Sequence, residues 1–212
     1  LGDRGPALDM LSAVCEQTSP YRLKALRTAL GALDLTAAHA LLRNMAKDPK
    51  DVRPLIQGAG FAGDPAYVPW LIKQMETIET TRLAGEAFSL VTGLDLAFLD
   101  LDRKPPENLE TGPSDDADDP NVDRDQDEDL PWPDVDKIRK WWGANGSQFT
   151  SGVRYFMGQR VSSEHALTIL REGFQRQRLM AALWRSLASP GIRLFNTNAP
   201  AWRQQRQLAT LS

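Results

Sequence analysis

Cysteine and histidine are almost missing from this 212-residue chain, which holds only Cys15, His39 and His165. One cysteine excludes an internal disulfide, so nothing calls for an oxidising compartment. There is no Cys-x-x-Cys or His-x-x-x-His spacing for a metal and no glycine-rich phosphate loop. No apolar run approaches the ~18 residues that a spanning helix needs. Residues 1–18 lack the basic start and apolar middle of a signal peptide. The expectation is a cytoplasmic protein with no metal, no cofactor and no membrane association.

The three scarce residues do not assemble a reactive centre. Cys15 stands at helical spacing from Leu8 and Leu11, as a small buried hydrophobe would. His39, inside Ala37-Ala-His-Ala-Leu-Leu42, reads as a helix-surface residue. His165 follows Ser162-Ser163-Glu164, a polar and acidic helix start. Acidic pairs occur without a partner base or metal spacing. No catalytic residue is assigned, and an enzyme of unknown chemistry stands only as a competing class.

Helix punctuation is what the first hundred residues have in abundance. Ser19-Pro20, Asp48-Pro49 and Asp64-Pro65 each set a capping side chain before a proline. This is the order of N-cap then first helical residue, where proline's missing N–H costs nothing. Thr36 and Thr80 or Thr81 read as caps of further helices, and Gly31 and Gly93 as stops. Leu23, Leu26 and Leu30 recur at helical spacing, as do Leu83, Ala87, Leu90 and Val91.

Four segments look alike, beginning at Arg22, Arg53, Arg82 and Arg178. Each opens on Arg and continues with small and apolar residues. Three close on glycine, at Gly31, Gly63 and Gly93, with Asp34, Asp64 and Asp95 just beyond. The first three recur at intervals close to the period of a helix pair in a solenoid. Small residues on the second helix of each pair would let neighbouring pairs approach closely.

Charge is distributed unevenly. Residues 1–103 carry 11 basic against 13 acidic side chains, residues 104–133 carry 2 against 11, and residues 134–212 carry 12 against 4. The middle holds the run Asp115, Asp116, Asp118, Asp119, Asp123, Asp125, Asp127, Glu128 and Asp129. With Pro113 and Pro120 beside it, this composition reads as a solvated linker. Its alternating acids fail as a calcium loop, because from Asp119 the sixth position is Arg124 and the twelfth Leu130. The run is instead a candidate surface for a basic partner, or for the basic C-terminal part of its own chain. Neutralising it should then affect association and leave folding unchanged. Trp132, Trp141 and Trp142 restart a helix after it and join the partner-binding candidates, although burial is expected for at least two of them. The Arg-rich end carries no recognised nucleic-acid motif, so nucleic acid stays a competing class.

Gly63-Asp-Pro-Ala-Tyr-Val-Pro-Trp-Leu-Ile-Lys-Gln-Met75 followed by Arg82-Leu-Ala-Gly-Glu-Ala-Phe88 resembles the HEAT-like repeat also found in bilin lyases. Phe149-Thr-Ser-Gly-Val-Arg-Tyr-Phe-Met-Gly158, Leu167-Thr-Ile-Leu-Arg-Glu-Gly-Phe-Gln-Arg-Gln-Arg178 and Pro200-Ala-Trp-Arg-Gln-Gln-Arg206 resemble a bacterial HEAT-like-repeat family associated with type VI secretion genes. The resemblance runs from about Asp51 onward and brings no catalytic residues. It implies an adaptor, a chaperone or an immunity partner of a secreted effector. The expected architecture is all-α: HEAT-like helical repeats over 1–103, an acidic linker over 104–133, and a C-terminal helical region over 134–212. Residues 144–161 are expected as loop or short hairpin, since Gly143, Gly146, Gly152 and Gly158 interrupt any helix.

Overall fold

A computed structural model describes residues 4–107, 125–189 and 191–211. Among them the chain is mostly helical. Six helices come first: α1 (Arg4–Cys15), α2 (Arg22–Ala32), α3 (Leu35–Met45), α4 (Val52–Ala62), α5 (Val68–Gln74) and α6 (Thr81–Thr92). The two-residue strand β1 (Asp102–Arg103) pairs antiparallel with β2 (Trp132–Pro133), which feeds α7 (Val135–Asn145). A hairpin of β3 (Tyr155–Phe156) and β4 (Gln159–Arg160) precedes α8 (Ser163–Glu172), α9 (Gln175–Ala188) and α10 (Ala201–Ala209).

The helices pack as hairpins, α1 on α2, α3 on α4, α5 on α6 and α8 on α9. The second helices also touch one another, α2 against α4 and α4 against α6, while α9 lies against α2. The close approach rests on small side chains. A Cβ on Gly60 of α4 would sit 3.0 Å from the Ala87 Cα of α6. Phe88, fully buried, centres the largest apolar cluster with Ile56, Leu71, Met75 and Ile138.

The look-alike arginines share a structural role at the starts of their helices. Arg22 donates to the Cys15 carbonyl that ends α1 and pairs with both oxygens of Asp51, just before α4. Arg53 donates to the Glu79 carbonyl and to Asp127. Arg82 donates to the Asp127 carbonyl and to Asp125. Arg178 donates to the Leu170 carbonyl in α8 and to Gln204 of α10. Each guanidinium thus satisfies a loose carbonyl and ties its helix to a neighbouring segment.

The hairpin expected within 144–161 crosses the C-terminal ends of the second helices. Tyr155 N–H donates to the Gly63 carbonyl, Met157 N–H to Leu90 and Gly158 N–H to Val91. Arg154 donates to the Leu30 and Leu33 carbonyls at the end of α2. Carbonyls that a helix leaves unpaired in its last turn are thereby filled. Met157 and Gly158 both have positive φ, 49° and 82°, the pair a two-residue type I′ turn requires.

Punctuation moved at several positions. Asp48 and Asp64 accept from Lys50 and Ala66 N–H, with proline between, and start 3₁₀ turns that run into α4 and α5. Asp34, not Thr36, caps α3 by accepting from Ala37 N–H. Thr80 and Thr81 turn their hydroxyls back to the Gln74 and Met75 carbonyls at the end of α5. Gly93 ends α6 in the left-handed region, whereas Gly31 lies inside α2 and faces Leu183 and Leu187 of α9.

Candidate functional site: a cleft across the second helices

The face of α2, α4 and α6 that meets α9 is only partly covered. Leu23 and Arg27 of α2, Gln57 and Phe61 of α4, and Leu83, Glu86 and Leu90 of α6 line a chamber of about 340 Å³. Its far wall is Arg176 and Leu179 of α9, and Asp127 and Leu130 close one end. A second chamber of about 490 Å³ continues past Glu86 to Leu94, Leu96 and Phe98, with Phe174 and Gln177 opposite. Glu86, Leu130 and Arg176 border both, so the two chambers form one cleft.

Two large aromatics stand open at its lip. Phe98, in the turn after α6, is 85 % exposed, and Phe174, at the start of α9, is 68 % exposed. Their backbones are fixed: Phe98 N–H donates to Asp95 Oδ1 and Phe174 N–H to Gln177 Oε1. Exposed aromatic side chains beside a concave, largely apolar floor mark a surface for a partner.

The cleft also holds charge without a complement. Glu86 and Arg27 are half-buried, and neither makes a hydrogen bond or ion pair among the described residues. Burial raises the Glu86 carboxyl above its usual range, opposed by the Arg176 cation. Burial likewise lowers the Arg27 guanidinium. Arg176 itself is 3.9 Å from Asp129, an exposed and loose pairing.

The end of the acidic run forms one wall of this site, which corrects the reading of residues 125–133 as solvated linker. Both Asp127 oxygens accept from Arg53 Nη2 at 2.9 Å, and the Asp127 side chain is 8 % exposed. Asp125 pairs with Arg82, whose guanidinium also stacks 4.6 Å over the Trp132 ring. Burial would raise the Asp125 carboxyl, but bonds from Arg82 and the Asp127 N–H hold it below the usual range. These aspartates therefore dock on arginines of the N-terminal helices, and among the described residues of the run only Asp129 pairs with the basic C-terminal part. Glu128 and Asp129 remain exposed. Asp115, Asp116, Asp118, Asp119 and Asp123 lie outside the described residues.

The tryptophans separate as well. Trp132 is buried beneath Arg82, so it is no exposed anchor. Trp141 and Trp142 are half-buried and meet Phe88 edge-on, with Phe149 and Tyr155 continuing the aromatic stack. None of the three lines the cleft.

Neither histidine lines the cleft. His39 is not a plain surface residue: its Nε2 is 3.0 Å from the fully buried Asp64 carboxylate, off the line of a hydrogen bond, and its ring meets Tyr67 edge-on. His165 Nε2 is 2.9 Å from the Phe156 carbonyl. Among the described residues no group of three or more His, Cys, Asp or Glu could hold a metal ion. No helix among them is long and apolar enough to cross a membrane.

Leu23, Arg27, Glu86, Phe98 and Phe174 were not candidates in the sequence. Only Glu86 carried a signal, as a lone acid on the apolar face that Leu83, Ala87 and Leu90 define. Comparison with known families, with curated proteins and with solved structures finds no match for this chain.

Proposed function

We propose that this chain is a non-enzymatic, HEAT-like helical-repeat protein that binds a partner protein in the cleft across α2, α4, α6 and α9. The observation that carries the reading is the pair Phe98 and Phe174, exposed at the lip of a continuous apolar cleft. Stacked helix hairpins commonly present such concave surfaces to proteins. A secreted effector or secretion component as the partner rests on the resemblance of Phe149–Gly158 and Leu167–Arg178, and placement in the cytoplasm on the lone Cys15, which calls for no oxidising compartment. The exposed Asp129, which borders the second chamber near Arg176, offers an acidic side chain at the cleft's edge to a basic rim on that partner.

The test is affinity capture from nuclease-treated native extracts with the wild-type chain and a Phe98→Ser/Phe174→Ser variant. A protein held by the wild type and reduced at least tenfold by the variant, with equal melting temperatures, is the expected result. Equal recovery by both would refute the cleft as the binding site. Loss of all capture after nuclease treatment would point to nucleic acid instead.

A further inference from the structure

The charges left open in the cleft specify what enters it. Glu86 borders both chambers from the middle of α6, and Arg27 borders the first chamber from α2. The two helices are not neighbours, since α4 lies between them. At about 8–10 Å per helix packing, their axes are about 16–20 Å apart. No ion pair joins the two charges. The other cations at the site are occupied: Arg53 by Asp127, Arg82 by Asp125, and Arg176, loosely, by Asp129. Phe61, Leu83 and Leu90 supply apolar surface to the same chamber. Glu86 feels the Arg176 cation across the cleft but makes no hydrogen bond or ion pair with it, and a half-buried ion without a bonded counter-charge gains more from an arriving one than an exposed ion does.

We propose that the cleft takes an amphipathic partner segment that sets a Lys or Arg cation on Glu86, a carboxylate on Arg27, and apolar side chains between them and against Phe98 and Phe174. This assignment rests on the cleft being the partner-binding surface. The opposite signs fix the direction in which the segment lies: its acidic end points to α2 and its basic end to α6 and the second chamber. In extended form, about five residues cover the distance between the helix axes, so the two ligand charges stand within that spacing.

The test is panning of a displayed random 12-residue peptide library against the full chain, followed by titration of the enriched peptides. Wild type should enrich peptides with a basic and an acidic residue about three to five positions apart, separated by Leu, Ile, Phe or Met. Glu86→Gln should weaken these peptides at least tenfold and remove the basic preference from a fresh selection. Arg27→Gln should do the same for the acidic preference. Glu86→Arg should restore binding to a peptide whose cation is changed to Glu. The conservative Gln variants are checked by melting temperature, and the charge-swapped peptide reads the contact even if a variant is less stable. Peptides that need Phe98 and Phe174 but show no charge preference would overturn the charge assignment while leaving the cleft as the binding surface. No enriched peptide at all would overturn both. A concentration-dependent dimer abolished by Glu86→Gln would put a second copy of the chain in the cleft and likewise overturn the proposal.

Discussion

Asp127→Ala separates a docked acidic segment from a solvated one. In the folded chain both carboxylate oxygens accept from Arg53, the carbonyl accepts from Arg82 at 2.8 Å, and the N–H donates to Asp125. Removing the carboxylate leaves the backbone bonds in place but takes away the partner of a charged donor. A hydrogen bond to a charged group contributes about 1.5–3 kcal/mol. Arg53 is 35 % exposed and keeps the Glu79 carbonyl, so it is partly rehydrated in the variant. We therefore expect a loss of about 2 kcal/mol, or about 4–8 °C in melting temperature for a chain of this size. Chemical denaturation followed by circular dichroism at 222 nm reads the change. Asp129→Asn, at a side chain 89 % exposed, is the control and should melt with the wild type. Because the Asp127 pair is shielded, added salt should not erase its contribution. An Asp127→Ala variant as stable as wild type would refute the docking, and the reading from composition alone, in which the run acts by charge without affecting folding, would hold.

Asp125 titrates below the usual carboxylate range because Arg82 and the Asp127 N–H outweigh its burial. Its stabilising contribution is therefore present above the unfolded value near ~3.9 and is lost as pH falls through the lower folded value. Urea midpoints between pH 6 and pH 3 should fall more steeply for wild type than for Asp125→Asn, and parallel curves would contradict this. Burial pushes the Cys15 thiol up to about 11 despite the Arg22 cation, so an aromatic disulfide reagent at pH 8 should label it only as fast as the protein opens. Fast stoichiometric labelling of native protein would exclude that burial. Gly63→Ala forces a left-handed φ of 69° onto a residue whose Cβ would press on the Tyr155 carbonyl oxygen, and should lower stability by more than about 1 kcal/mol. A melting temperature unchanged from wild type would mean that the hairpin does not seal the end of α4. Phe88→Ala, at the centre of the largest apolar cluster, should cost about 3–5 kcal/mol by denaturant titration, and a loss under 1 kcal/mol would displace that centre.

Local order was the most legible part of the sequence. Asp48-Pro49 and Asp64-Pro65 announce helix starts because cap and proline act within three residues. The helical spacing of Leu83, Ala87, Leu90 and Val91 survives as the packed face of α6. The four look-alike arginines were visible as a pattern, but their partners were not. Arg53 finds Asp127 across 74 positions and Arg154 finds Leu30 across 124, contacts that no local spacing encodes. For the same reason the acidic run read as solvated: composition reports the cost of gathering nine acids, not the two arginines that receive Asp125 and Asp127. The cleft was the least legible feature. Phe98 and Phe174 look like core residues by type, and no local spacing shows that they stand in water.

Site-specific photo-crosslinking reads whether a partner protein occupies the cleft. A photoreactive phenylalanine analogue placed at Phe98 or at Phe174 in the full chain, irradiated in native cells, should yield one shared adduct with a second protein. The same analogue at Trp202, an exposed aromatic on α10 away from the cleft, should not. A shared adduct from the two cleft positions, lost in the presence of Glu86→Gln, is the predicted result. Adducts from Trp202 alone, or equal adducts from all three positions, would contradict the account.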